Sequence, residues 1–141
     1  RVGVIQFIKG TDWRPGEALA AERLGIPWRV VGKGFVYDPA TDEAARHSAL
    51  AGWALAQEWI ANGAYDLLVL DEFTYLFSFG WLGADEVVRW LQAHKPPALH
   101  LIITGPEAPP TLLENADLIT EMRAIRHPYD AGLPAQKGIE F

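Results

Sequence analysis

The segment Leu67 to Tyr75, LLVLDEFTY, restricts the fold more than any other part of this chain. Four consecutive apolar residues are too uniform for a strand with one wet face, and suit a strand buried on both faces. Similar runs occur at Val2 to Ile8, broken only by Gly3 and Gln6, at Trp28 to Val31, at Leu99 to Thr104 and at Leu118 to Ile125. Helical patterns separate them. Glu17 to Leu24 is stopped by Gly25, and Ala84 to His94 carries Val87, Val88 and Leu91 on one face before Pro96-Pro97. Asp38-Pro39 reads as an N-cap and first turn of a helix running to about Ala61, with Leu50, Trp53 and Ala54 as its apolar face. Pro110 to Ala116 is a short helix, and Arg126 to Phe141 is a polar arm. Alternation of this kind predicts an α/β fold, a mostly parallel sheet with helices on both faces, within one domain spanning 1–141.

Asp71 and Glu72 stand where the LLVL strand ends, and open α/β sheets bind ligands beyond the carboxyl ends of their strands. One reading is a carboxylate pair holding Mg²⁺ beside a nucleotide's phosphates, as in P-loop proteins. The other is an Asp capping the next helix and a solvated Glu. No phosphate loop of the form GxxxxGK[ST] occurs, and Gly32-Lys33-Gly34 is only a glycine pair. An acidic strand end of this type calls for a preceding strand, phosphate loop and helix. The chain begins at Arg1 on an apolar run, so that unit is expected upstream of it.

Twelve Lys plus Arg against eighteen Asp plus Glu, without a basic run, argue against nucleic-acid binding. Phe73 to Ala84, the longest uncharged apolar stretch, falls short of the roughly 20 residues a membrane helix needs. Zero cysteines exclude disulfides, thiolate zinc sites and a cysteine nucleophile, and fit a reducing compartment. His47, His94, His100 and His127 lack metal-ligand spacing, and no serine has a nucleophile-elbow context. Phe73, Tyr75, Phe77, Phe79 and Trp81 recur at every second position, as in the core face of an extended segment. Phe35 and Tyr37 flank Val36 on a glycine-bounded loop at the expected ligand edge, where a binding role suits them better.

VIQFIKGT at 4–11, GFVYD at 34–38, LDEFTY at 70–75, ITGPEAPPTLLENADLITEMR at 103–123 and HPYDAGLPAQKGIEF at 127–141 form an ordered set. In this order they resemble the signature segments of the bacterial cob(I)alamin adenosyltransferases, also called corrinoid adenosyltransferases. The likeness extends from Val2 to Phe141, and the tail with DAG, AQ and GIEF is its most specific part. It implies a P-loop NTPase-like three-layer fold whose first strand and phosphate loop are missing from this chain. The implied reaction transfers the 5′-deoxyadenosyl group of ATP to the cobalt of a reduced corrinoid and releases triphosphate. Co(I) is itself the nucleophile, so catalysis rests on alignment and on stabilising the leaving group.

The resemblance further implies that Glu72 coordinates Mg²⁺ with support from Asp71, and that Lys9, Gly10, Tyr75, Thr104 and Gly105 bind substrate. Phe35 and Tyr37 match aromatic positions that close over the lower corrinoid face and expel its axial ligand, which eases reduction of Co(II). A flavoprotein reductant, a homodimer and a cytoplasmic location follow from the same likeness. This sequence departs from the family pattern in having Tyr37 where Trp is usual after Gly-Phe-Thr. It also has Pro106 where Thr-Gly-Arg is common, and Pro supplies neither the charge nor the donors of Arg. Two competing expectations remain: a non-catalytic corrinoid-binding relative, and a P-loop nucleotide kinase. The absent zinc-ribbon cysteines and the DAG/AQ/GIEF tail count against the kinase.

Overall fold

A computed structural model describes residues 1–10, 16–34, 36, 38–134 and 136. Four strands, β1 (Val2–Phe7), β2 (Trp28–Val31), β3 (Leu67–Asp71) and β4 (His100–Ile103), form one sheet in the order β2-β1-β3-β4. Every pairing is parallel. All four carboxyl ends therefore open on one edge. The helices are α1 (Gly16–Arg23), α2 (Glu43–Ala61), α3 (Tyr75–Ser78), α4 (Ala84–His94) and α5 (Pro110–Glu114), and Pro128–Ala131 makes a 3-10 turn. No described helix is long and apolar enough to cross a membrane.

β1 is one of the two inner strands and the most buried, and alternation assigns Gly3, Ile5 and Phe7 to one face and Val4 and Gln6 to the other. The register pairs Ile5 with Leu70 and Gly3 with Leu68, so those four share a face. α2 covers it. Its buried positions Ala45, Ala49, Gly52, Trp53, Ala56, Trp59 and Ile60 follow helical spacing. Small residues along this stripe let the helix approach closely, and a Cβ at Gly52 would lie 2.5 Å from Val31 Cγ2. Ala54 lies outside the buried stripe, so the expected apolar face was misplaced by part of a turn.

Three further expectations need correction. α2 starts at Glu43, capped by Asp42, whose carboxylate accepts from Ala45 N at 2.9 Å. Asp38 instead closes a turn, accepting from Ala40 N at 3.1 Å and from the Thr41 hydroxyl at 2.8 Å. Residues 73–81 are not an extended segment. The main-chain N–H groups of Leu76 and Phe77 bond back to Phe73 and Thr74, coiling the chain into α3. The core assignment itself holds for Phe73 and Trp81, both buried, with Phe73 edge-on to Phe7 at 5.0 Å and 5.3 Å from Trp53. Finally, residues 118–125 form no strand. Leu118, Met122 and Ile125 are 84%, 93% and 86% exposed, and among the described residues no strand lies beside them to share their hydrogen bonds.

Candidate functional site

The carboxyl edge of the sheet combines close loop packing, strained backbone and a row of polar side chains. Outside glycine, positive φ occurs among the described residues only at Ile8 (70°), Glu72 (61°) and Glu107 (50°). Each follows a strand end on this edge. Left-handed backbone costs an L-residue about 1–2 kcal/mol, and such strain gathers at functional edges.

The β1 and β2 ends are laced together. Ile8 N–H donates to Val31 O at 3.0 Å, and Gly34 N–H donates to Ile8 O at 3.1 Å. A Cβ at Gly10 would stand 3.2 Å from Gly34 Cα, so the loops meet backbone to backbone. Lys9 pairs with Glu17 of α1 at 3.7 Å, both side chains half exposed. Phe35 and Tyr37 lie outside the described residues. Among the described residues that follow, Trp81 Nε1 donates to Pro39 O at 3.0 Å.

The polar row crosses the ends of β1, β3 and β4. Gln6 pairs in register with Asp71, and Thr104 stands one position beyond the Leu70–Ile103 pair. Gln6 Nε2 donates to Asp71 Oδ2 at 2.9 Å, and the Thr104 hydroxyl donates to Asp71 Oδ1 at 2.8 Å. Thr104 Oγ1 in turn accepts from Glu72 N–H at 3.0 Å. Both Asp71 oxygens are thus occupied from within the protein. The Glu72 carboxylate, half-buried, has no hydrogen-bond or ion-pair partner among the described residues. Partial burial raises its pKa above the ordinary glutamate value, the neighbouring Asp71 charge adds to this, and Lys9 opposes it.

Gly105 closes the edge. Its φ of 133° suits glycine, and an added Cβ would fall 2.2 Å from the Thr74 hydroxyl. That hydroxyl donates to Pro106 O, and Thr74 N–H donates to Thr104 O at 3.3 Å. Gly105→Ala is therefore expected to destabilise the protein by about 2 kcal/mol or more. The midpoint of urea unfolding measures this, and an unshifted midpoint would contradict the close packing of Gly105 on Thr74.

The expected residues Lys9, Gly10, Asp71, Glu72, Thr104 and Gly105 all fall on this one edge, and Tyr75 starts α3 immediately beyond it. Tyr75 stacks at a tilt on Phe79, ring centres 5.3 Å apart. Sequence reasoning passed over Gln6 and Thr74, both polar and buried. A polar residue interrupting an otherwise apolar strand was the available signal for Gln6. No group of three or more His, Cys, Asp or Glu capable of holding a metal occurs among the described residues.

Residues 1–141 match the family model described as ATP:corrinoid adenosyltransferase BtuR/CobO/CobP. The corrinoid adenosyltransferase of Escherichia coli (strain K12) is 37% identical over 141 residues, covering 100% of this chain and 71% of its own length. Corrinoid adenosyltransferase CobA of Salmonella typhimurium is 37% identical over 140 residues, covering 99% of this chain and 70% of its own length. A Pseudomonas aeruginosa corrinoid adenosyltransferase is 36% identical over 143 aligned residues, covering 100% of this chain and 70% of its own length.

Proposed function

The chain belongs to the ATP:corrinoid adenosyltransferase family, and we propose that it transfers the 5′-deoxyadenosyl group of ATP to the cobalt of a reduced corrinoid. The family match along all 141 residues carries this reading. In the transfer, the Co(I) electron pair forms the bond to C5′ of the ribose while the C5′–O bond breaks, and its electrons leave with triphosphate. No protein base or nucleophile enters the balance. The residues of the carboxyl edge act by alignment and charge.

Glu72 and Asp71 divide the work at the β3 end. Asp71 is consumed by Gln6 and Thr104, whereas Glu72 retains a carboxylate free of other described partners. One hard oxygen donor suits magnesium, which dehydrates reluctantly and takes one or two carboxylates along with substrate phosphates and waters. Glu72 is the residue that would hold it. When bound, the ion offsets the negative charge that develops on the leaving triphosphate. Lys9 adds a positive charge at the neighbouring strand end, and is assigned to the polyphosphate. Gly10 and Gly105 are assigned to close approach of backbone to substrate, Thr104 to the same edge, and Tyr75 to a substrate contact beyond it.

Phe35 and Tyr37 are assigned to the lower corrinoid face, where they expel the axial ligand before reduction. A P-loop-like architecture, a flavoprotein electron donor, a homodimer and a cytoplasmic setting complete the proposal. The parallel sheet with an acidic strand end supports the first, and a cysteine-free chain accords with the last.

The test supplies ATP, magnesium and chemically reduced cobalamin. A light-sensitive alkylcobalamin is expected, with one triphosphate released per corrinoid converted. With a nucleoside or nucleotide acceptor added, formation of ADP and the phosphorylated acceptor would turn the assignment toward a nucleotide kinase. Corrinoid binding with no turnover would turn it toward a non-catalytic relative.

A further inference from the structure

Gln6 is 1% exposed in the inner strand β1, a position where burying a carboxamide costs free energy unless its polar atoms are paired. Only half of that condition is met. Nε2 donates to Asp71 Oδ2, while Oε1 has no partner among the described residues. A leucine would fill the same strand position without this cost, so packing alone does not explain the residue.

We propose that Gln6 is a positioning residue that, together with Thr104, locks Asp71 as a bracket for the left-handed turn at Glu72, leaving Glu72 alone to face the metal–polyphosphate. This rests on the assignment of Glu72 in the preceding section. The hydrogen bonds run in one direction. A carboxylate only accepts, so Thr104 must donate its single hydroxyl proton to Asp71 Oδ1. The Thr104 oxygen is then the acceptor for Glu72 N–H, the bond that holds φ of 61° at that residue. Thr104 O also accepts from Thr74 N–H, fixing the far side of the turn.

Gln6 closes the chain at its other end. Without its amide donor, Asp71 Oδ2 loses its partner and the side chain is free to rotate away from Thr104. Thr104 then has no fixed direction for its proton, and the turn at Glu72 loses its hold. Gln6 reaches the reaction only through Asp71, Thr104 and the Glu72 backbone.

The experiment compares backbone amide exchange in the ligand-free protein with the magnesium concentration that gives half-maximal turnover. Gln6→Leu is expected to speed exchange of the Glu72 amide at least tenfold while β1 and β3 amides stay protected. It should also raise the magnesium requirement about tenfold. Thr104→Val, which removes the hydroxyl at nearly constant volume, should reproduce the exchange effect. Thr104→Ser, which retains the hydroxyl, should keep Glu72 protected. Unchanged Glu72 exchange in Gln6→Leu would overturn the bracket, as would equal deprotection of the whole sheet, which marks a merely structural role. Faster exchange at Glu72 with an unmoved magnesium requirement would support the bracket and overturn the ion assignment at Glu72.

Discussion

Glu72→Gln is expected to lower turnover at least about tenfold while leaving the protein as stable as the parent, or more stable, near pH 7. The two effects have one cause. Partial burial and the nearby Asp71 charge disfavour the ionised carboxylate, and Lys9 only partly compensates. The folded state therefore binds the Glu72 proton more tightly than the unfolded state does. Below the unfolded-state pKa both states are protonated and the group has no effect on pH-dependent stability. As pH rises through the raised folded-state value, the cost of the buried charge appears in full and persists to neutrality. Glutamine keeps the shape and removes the charge, so its stability advantage should be present near pH 7 and fade in acid. Thermal midpoints of the two proteins across that range measure it. A merely solvated Glu72 predicts no change in stability at any of these pH values, with turnover little changed. Turnover equal to the parent across a magnesium titration would remove Glu72 from ion binding.

The sequence made the strand ends legible because three physical signals coincide there. Apolar runs mark the parallel strands, glycines or prolines mark the exits, and carboxylates in that setting have few structural uses. α4 was read with its observed limits, since valines at 87 and 88 set its face and prolines 96 and 97 block any extension. The start of α2 was not, because Asp38 and Asp42 both precede helix-forming residues. What distinguishes them is which carboxylate reaches the N–H three residues on, and Asp42 does. The alternating aromatics at 73–81 suggested extended backbone, yet a helical turn puts Phe73 and Leu76 in the core equally well. Residues 118–125 carry strand-like composition, but a strand exists only where another shares its hydrogen bonds. The polar row was hidden for a different reason. Gln6, Asp71 and Thr104 are far apart in sequence, and only the parallel register sets them side by side.

The aromatic pair provides the sharpest test of mechanism, because its proposed task precedes the alkyl transfer. Phe35 and Tyr37 are assigned to removing the axial ligand from Co(II), which lowers electron density along the axis and eases reduction to Co(I). Phe35→Ala and Tyr37→Ala should therefore slow turnover at least tenfold when a flavoprotein supplies the electron. With cobalt already reduced chemically, the same variants should lose far less. Tyr37→Trp restores the family's usual ring and removes a hydroxyl able to hold water near the metal, so its flavoprotein-driven rate should equal or exceed the parent's. A four-coordinate Co(II) spectrum should appear with ATP and magnesium present and vanish in both alanine variants. If the two rings only pack the loop, their removal should lower the melting temperature and slow both reducing regimes equally. Equal losses would take Phe35 and Tyr37 out of the reduction step, and would leave alignment of ATP at the β3 and β4 ends as the catalytic work of this chain.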